Sequence, residues 1–206
     1  RLQTIGAISI AWNWIEGAID VSLSVALNLH PSMWNEVTTR INGLDSKFAL
    51  IKKHASLYLD GLGPFFDQAR DMITGTVGAV RAAKKLRDGV IHIRLTLPEA
   101  VTGDLPVGKG QLHEVLVSQE ALDGLYRLLL NLAREMDEVV AIFYNHWLTV
   151  HASTQEKRRR GAEVFRESLA RLRDLQAKRA AFPPLPEFPD PPATPPETEA
   201  APEPQG

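Results

Sequence analysis

The sequence predicts an all-α protein, an up-and-down bundle of about five helices over residues 1–181. Apolar residues recur at steps of three and four along most of this range, as they do on one stripe of a helix. Only four of the fourteen prolines lie within it, and Leu, Ala, Val and Ile are abundant. Short connections between the periodic segments favour antiparallel neighbours, so these residues can bury a substantial core.

Two helices are predicted in the first 60 residues. The first covers roughly Thr4 to Leu29, and the second begins near Pro31 and Ser32, where proline suits a first turn and serine can cap one. Within the second, Asn42-Gly43 would cost roughly 1 kcal/mol relative to alanine, yet its stripe continues to Tyr58. The first stripe contains Ile8, Trp12, Ile15, Ile19, Leu23 and Ala26, and the second contains Trp34, Val37, Ile41, Leu44, Phe48, Ile51, Ala55 and Tyr58.

A third helix follows Pro64, and the pattern changes near residue 90. The third stripe contains Phe66, Ala69, Ile73, Thr76, Val80, Ala83 and Arg87. From Ile91 to Leu97 apolar and polar residues alternate, which is typical of a strand, and Leu112 to Val117 could pair with it. Glycines and prolines lie between the two segments. A short β-hairpin or irregular insert is therefore predicted at residues 90–117.

Two further helices and a tail complete the chain. Ser118 can cap a fourth helix that keeps its stripe from Leu122 to Val150, and Ser153 with Glu156 could form a capping box for a fifth. Beyond it, residues 182–206 hold ten prolines and five acidic residues but no basic residue. An acidic Pro-rich tail of this composition is predicted to be disordered.

Several classes of protein are excluded by what the sequence lacks. It has no cysteine, which excludes disulfide scaffolds, thiol nucleophiles and Cys-based metal sites. No phosphate-binding loop, dinucleotide-binding glycine pattern, nucleophile elbow or paired-His zinc motif is present. We expect no cofactor and no metal site. Glu16 and Asp20 argue against a membrane span in the first helix. With no cysteine in the sequence, the cytoplasm is the expected compartment.

Arg87 is the first candidate functional residue, because it lies in register with Ile73 and Val80 on the apolar side of the third helix. A buried unpaired charge is costly, so the guanidinium needs a partner. Three interpretations stay open: a structural salt bridge, a side chain that extends to solvent at the bundle end, or a binding site for an anion such as phosphate.

Arg87-Asp88 followed by His92 resembles the motif of the HEPN superfamily, small helical-bundle proteins of which many are ribonucleases. The resemblance extends to Trp12-x-x-Ile15-Glu16 in the first helix and to Lys47-Phe48 in the second, and covers roughly residues 5–92. Asp88 stands where the family most often has asparagine. On a continuous helix position 92 is turned about 140° from position 87, so the two side chains could converge only if the helix deforms or ends near Gly89. If a strand begins there instead, His92 is a surface residue.

The resemblance implies metal-independent RNA cleavage at a homodimer interface, in a toxin–antitoxin or defence context. His92 would transfer the proton in attack by the ribose 2′-hydroxyl, Arg87 would hold the phosphate, and Asp88 would orient one of them. Glu16 and Lys47 are supporting residues, with Glu16 expected to pair with Arg87 or Lys47. RNA and a cognate antitoxin or regulatory protein are the implied partners. The alternative hypothesis is a non-catalytic interaction protein that uses its amphipathic helices and Pro-rich tail for protein contacts.

Overall fold

The computed structural model describes residues 2–60, 62–96 and 118–184; for Pro31 and residues 91–96 it describes the backbone alone. These residues form six α-helices and a short 3-10 helix at Pro31–Met33. The all-α prediction is confirmed. The helices are α1 (Leu2–Ala26), α2 (Trp34–Arg40), α3 (Leu44–Leu59), α4 (Pro64–Thr96), α5 (Gln119–His151) and α6 (Gln155–Ala180).

The four longest helices, α1, α4, α5 and α6, alternate in direction. Helix α4 is antiparallel to α5, because Phe66 meets His146 near one end while Thr76 meets Glu135 lower down. Helix α6 is antiparallel to α5 in turn, since its Phe165 also meets His146 and its Arg179 reaches Glu135. This is the expected arrangement of an up-and-down bundle.

Helix α1 runs parallel to α5, as the first and third long helices of such a bundle should. Gln119, which begins α5, bonds Thr4, and Asp137 bonds Trp14 further along both helices. Helices α2 and α3 fill the connection between α1 and α4. The chain therefore places the end of α4 beside the first half of α1.

The core consists of the predicted stripes. All six predicted core positions of α1 are buried, and so are the stripe residues of α5 from Leu122 to Phe143. Helix α5 packs against α1, α4 and α6 and is the central helix. Toward its end the stripe fades, because Trp147 is only half-buried and Val150 is exposed.

The predicted second helix is wrong as a single element. It is divided into α2 and α3 by a break at residues 41–43, and Gly43 has a φ of 78°. That backbone conformation suits glycine and interrupts a right-handed helix. The apolar stripe continues across the break because α3 resumes packing on the same core.

The predicted strand at the start of the 90–117 insert is also wrong, because α4 continues without a break through Gly89 to Thr96. In a short apolar run, alternation cannot distinguish strand from helix, and Ile91 and Leu95 are also at helical spacing. The rest of the insert, residues 97–117, lies outside the described residues.

The predicted helix starts are partly confirmed. Ser118 caps α5, accepting a hydrogen bond from the Ala121 N–H at 3.1 Å. Thr154, and not Ser153, caps α6 and accepts from the Lys157 N–H. Helix α6 ends at Ala180, while most of the predicted tail lies outside the described residues, so its disorder stays a prediction. Within the described ranges, no helix has the combination of length and apolar character that crossing a membrane requires.

Candidate functional site

Arg87 and Asp88 lie in the second half of α4, where that helix passes α1. Arg87 retains a quarter of its side-chain exposure, and its guanidinium carbon lies 5.5 Å from the ring centre of Trp12. The Trp12 ring is fully buried and forms a flat apolar surface beneath the cation. A guanidinium stacked on an indole face is attracted by the ring electrons, by about 0.5–1 kcal/mol near solvent.

Glu16 fixes the tryptophan and not the arginine. Its carboxylate accepts a hydrogen bond from Trp12 Nε1 at 2.7 Å, one helical turn along α1. The expected ion pair of Glu16 with Arg87 or Lys47 is therefore wrong for the described residues. Glu16 supports Arg87 indirectly, because it holds the ring on which the guanidinium lies.

Asp88 holds the guanidinium from the other side. Arg87 Nη1 donates to Asp88 Oδ1 at 2.9 Å, and Lys84 Nζ donates to Asp88 Oδ2 at 2.7 Å. Burial alone would raise the pKa of Asp88, but the hydrogen bonds from Lys84 and Arg87 outweigh it and lower the pKa. Asp88 is therefore a carboxylate that can orient Arg87 and has no proton to give at neutral pH.

Among the described residues, the Arg87 guanidinium has one hydrogen-bond acceptor, Asp88. Arg87 Nε is buried and has no acceptor among the described residues. Among the described residues the group is held by one hydrogen bond and one aromatic ring, and a phosphate could bond the exposed part of the guanidinium but not the buried Nε. A purely structural salt bridge accounts for only one of the N–H groups of Arg87, the one that donates to Asp88 among the described residues.

The structure places Lys47 away from this site and describes only the backbone at position 92. Position 92 belongs to the same unbroken helix as Arg87, turned about 140° around its axis, while the His92 side chain lies outside the described residues. Lys47 donates to Asp20 at 2.5 Å, between α3 and α1. Among the described side chains, those of Arg87, Asp88, Trp12 and Glu16 come together, and that of Lys47 does not join them.

Two contributors to this site, Trp12 and Lys84, were not predicted as site residues, although Trp12 belongs to the Trp12-x-x-Ile15-Glu16 pattern. The Trp12 ring lies beneath the Arg87 guanidinium, although the position of Trp12 on the α1 stripe indicated only a core residue. Lys84 shares Asp88 with Arg87. The spacing of Lys84 and Asp88, four residues apart on one helix, is the signal that could have identified the second contact.

A second charged group, Glu135 of α5, is wholly buried. It accepts hydrogen bonds from Thr76 of α4 at 2.9 Å, from Asn131 at 2.8 Å and from Arg179 of α6 at 2.8 Å. Gln176 of α6 donates in turn to Thr76. The carboxylate thus joins α4, α5 and α6, and no sequence pattern pairs residues so far apart in the chain.

The described residues contain no group of three or more His, Asp or Glu side chains arranged to hold a metal ion. The family resemblance stays an expectation: no protein-family model, no curated protein and no solved structure matches this chain.

Proposed function

We propose that the chain binds RNA through its phosphate backbone and that Arg87 is the residue that contacts the phosphate. The seating of Arg87 on Trp12, with one amino group fixed by Asp88, carries this proposal. A guanidinium oriented before binding loses less rotational freedom when it bonds a phosphate. The HEPN-like resemblance of Arg87-Asp88 and His92 supports the choice of RNA.

The charge around Arg87 supports a polyanionic ligand. Residues 81–88 of α4 contain four basic residues, Arg81, Lys84, Lys85 and Arg87, and one acidic residue, Asp88. Arg81 is exposed and pairs with Asp45 of α3. The four basic residues still outnumber the two acidic residues, Asp45 and Asp88, by two. Lys84 lies about 60° from Arg87 around the helix axis, whereas Arg81 and Lys85 are turned from it by about 120° and 160°. The excess of positive charge on this segment of α4 would attract a phosphate chain and make binding depend on salt.

Cleavage, if the protein performs it, needs a second copy of the chain. Because α4 is continuous, Arg87 and position 92 of one chain are turned away from each other. In a homodimer, Arg87 of one copy would hold the phosphate while His92 of the other takes the proton from the 2′-hydroxyl. The 2′-oxygen then bonds phosphorus, the bond between phosphorus and the 5′-oxygen breaks, and that oxygen takes the proton from the His92 imidazolium, leaving a cyclic phosphate and a 5′-hydroxyl.

The same continuity of α4 favours a second candidate function, a helical interaction protein without catalysis. In that case Arg87 would hold a phosphate or a carboxylate of a protein partner, and His92 would have no chemical role. RNA binding and RNA cleavage therefore need separate tests.

RNA binding is tested by fluorescence anisotropy of a labelled single-stranded RNA with the full chain over a range of salt concentrations. We expect Arg87→Gln to weaken binding about tenfold or more, because a charge-assisted hydrogen bond contributes about 1.5–3 kcal/mol. The slope of log affinity against log salt should fall by about one. Arg40→Gln is the matched control, since Arg40 is an exposed arginine that pairs with Glu36 on α2. Equal losses in the two variants, or no binding by the wild type, would overturn the proposal.

Cleavage is tested by mixing two inactive variants, Arg87→Gln and His92→Gln, after co-refolding. A shared site predicts that each variant alone loses at least about a hundredfold in rate, since imidazole proton transfer is worth about 10²–10⁴-fold. The mixture should recover about a quarter of the wild-type rate, because half of the dimers are mixed and each holds one intact site. Cleavage should persist in EDTA and leave cyclic phosphate ends. If the wild type binds RNA but does not cut it, the catalytic function is overturned and the non-catalytic function is retained.

A further inference from the structure

Helix α6 carries an excess of positive charge on its exposed side. From Gln155 to Ala180 it contains nine basic residues and four acidic residues. Among the described residues, carboxylates pair with two of the nine, Arg171 and Arg179. The proposed contact of Arg87 with RNA uses none of this charge.

Three exposed arginines of α6, Arg159, Arg166 and Arg173, form what we call the arginine line. They are seven residues apart, which is almost two helical turns, so they lie on one face of the helix at intervals of about 10 Å. Arg173 donates to Gln68 of α4, and among the described residues no carboxylate pairs with any of the three.

Acidic residues border the arginine line without occupying it. The four acidic residues of α6 are turned from Arg166 by about 60–100° around the helix axis, all toward the same side. Asp67 and Asp71, beside Gln68 on α4, pair with Arg70, which reduces their repulsion of an acidic ligand. The line therefore remains a positive strip along the helix.

The start of α6 adds further basic residues where the helix itself is positive. Lys157, Arg158, Arg159 and Arg160 follow within two turns of the Thr154 cap, and all four are exposed. The first turn of a helix carries a partial positive charge that favours a nearby anion by about 0.3–1 kcal/mol and disfavours cations. An anionic partner at this end would therefore be attracted by the side chains and by the helix together.

The sequence that follows α6 has the opposite charge. Residues 183–206 contain ten prolines and no basic residue. Their five acidic residues are Glu187, Asp190, Glu197, Glu199 and Glu203. Residues 185–206 lie outside the described residues, so their sequence and their attachment to the end of α6 carry the argument.

The length of this acidic segment suits a return along α6. The helix measures about 32 Å from Ala180 back to Arg159. The thirteen residues from Pro184 to Glu197 span about 40 Å when extended as Pro-rich chains are, which leaves length for the reversal of the chain. On the same scale, Glu187 and Asp190 would pass Arg173 and Arg166.

The middle of the arginine line lies far from Arg87. Phe66 of α4 meets Phe165 of α6 at 5.6 Å between ring centres. Arg87 lies 21 residues further along α4, or about 32 Å. A polyanion bound at Arg87 has to be long to reach the line, whereas the acidic segment is joined to the end of α6.

We propose that the arginine line, with the basic residues at the start of α6, binds the acidic Pro-rich segment that follows α6 in the same chain. The carboxylates of the segment pair with exposed guanidinium groups, and each such pair is weak, about 0.2–1 kcal/mol. The contact forms because the segment is tethered, which gives it an effective concentration in the millimolar range. While the segment is bound, it shields α6 from other polyanions.

The test is paramagnetic broadening in NMR of the full ¹⁵N-labelled chain. Because the sequence has no cysteine, Ala200→Cys provides a single attachment point for a nitroxide. We expect the amide signals of residues 157–160 to lose at least about half of their intensity, since a tethered contact of millimolar affinity is occupied in about half of the molecules. The amide signals of residues 81–88 should keep their intensity. Salt at about 1 M, where the Debye length is about 3 Å, should restore the broadened signals.

Two sets of substitutions test the two sides of the contact. Replacing the five acidic residues of the segment by Gln or Asn changes no described residue and should abolish the broadening. The triple variant Arg159→Gln, Arg166→Gln, Arg173→Gln should abolish it as well. The matched control removes three other exposed arginines, on α2 and α5, and should keep it: Arg40→Gln, Arg127→Gln and Arg134→Gln.

Several results would overturn the proposal. One is the absence of broadening at residues 157–160, and another is equal broadening at residues 81–88. Equal losses in the two triple variants would show that the segment responds to net charge and not to the arginine line. If single-stranded RNA shifts the amide signals of residues 157–166 while the nitroxide leaves them unchanged, the line binds RNA instead.

Discussion

Glu135 and Arg87 are both charged residues among the apolar positions of their helices, and the bundle treats them differently. Glu135 is completely buried, with hydrogen bonds from Thr76, Asn131 and Arg179 on three helices. Arg87 keeps a quarter of its exposure and, among the described residues, makes one hydrogen bond, to the residue next to it in the chain. On the α4–α5–α6 side of the molecule, the charge of Glu135 joins helices. On the α1–α4 side, the charge of Arg87 remains partly available to a ligand.

This difference indicates how a structural charge can be separated from a functional one. A buried charge is tolerated only when partners replace its water, so a fully satisfied group such as Glu135 belongs to the packing of the fold. A group that is held in place but only partly satisfied, such as Arg87, can still bond an incoming anion. The following variants test each half of this comparison.

The largest effect is expected from Glu135→Ala. The substitution leaves Arg179, Thr76 and Asn131 without their shared acceptor, and removing one partner of a buried ion pair costs about 3–5 kcal/mol. We expect the free energy of unfolding, measured by chemical denaturation, to fall by about that amount. Glu36→Ala is the control, since the exposed pair of Glu36 with Arg40 should contribute less than about 0.5 kcal/mol. Similar losses in both variants would contradict a structural role for Glu135.

A smaller effect is expected from Gly161→Ala, which probes the packing of α6 on α5. A Cβ at Gly161 would lie 3.0 Å from Thr149 Oγ1 and 3.1 Å from the Asn145 carbonyl oxygen. The backbone oxygen cannot move aside easily, so we expect a loss of about 1–3 kcal/mol. Gly78→Ala, where a Cβ would meet nothing within 4 Å, should instead stabilise α4 by up to about 1 kcal/mol. Thermal unfolding of the two variants should move in opposite directions, and a gain for Gly161→Ala would disprove the close approach.

The helices and their buried faces could be predicted from the sequence, because helical periodicity is a local property. The stripe of α1 from Ile8 to Ala26 is buried as predicted. Continuity of a stripe, however, does not prove continuity of a helix. Asn42-Gly43 carried the local signal for the break between α2 and α3, and the stripe on either side concealed it.

The arrangement of the polar groups could be predicted only in part, since it depends on which helices meet. Arg87 could be identified as a charge on an apolar face. Its contact with Trp12 could not, because Trp12 lies 75 positions earlier in the chain. Glu135 has partners 59 and 44 residues away, which no spacing pattern connects. The separation of positions 87 and 92 could be foreseen from helical geometry once α4 was known to continue through Gly89.

His146 of α5 and His54 of α3 extend the comparison to titratable groups that are partly buried. Burial lowers the pKa of His146 and of His54 below 6.5, with additional contributions from His151 and Lys53 respectively. The unfolded chain therefore takes up these protons at a higher pH than the folded one. Stability should be complete above about pH 6.5 and decrease as the pH falls toward the pKa values of the folded state.

The thermal midpoint should accordingly fall between pH 7.5 and pH 5.5, and the decrease should be smaller in the double variant His54→Gln, His146→Gln. A double variant with the slope of the wild type would show that these two rings do not resist protonation.

The most direct test of the central claim is to measure two properties of Arg87→Gln in one preparation: the free energy of unfolding and the affinity for single-stranded RNA. If Arg87 is held for a phosphate, the free energy of unfolding should fall by only about 1 kcal/mol, the combined value of a partly exposed ion pair and one aromatic contact. The RNA affinity should fall about tenfold or more. A loss of 3 kcal/mol or more in stability with unchanged RNA affinity would contradict the account and assign Arg87, like Glu135, to the packing of the fold.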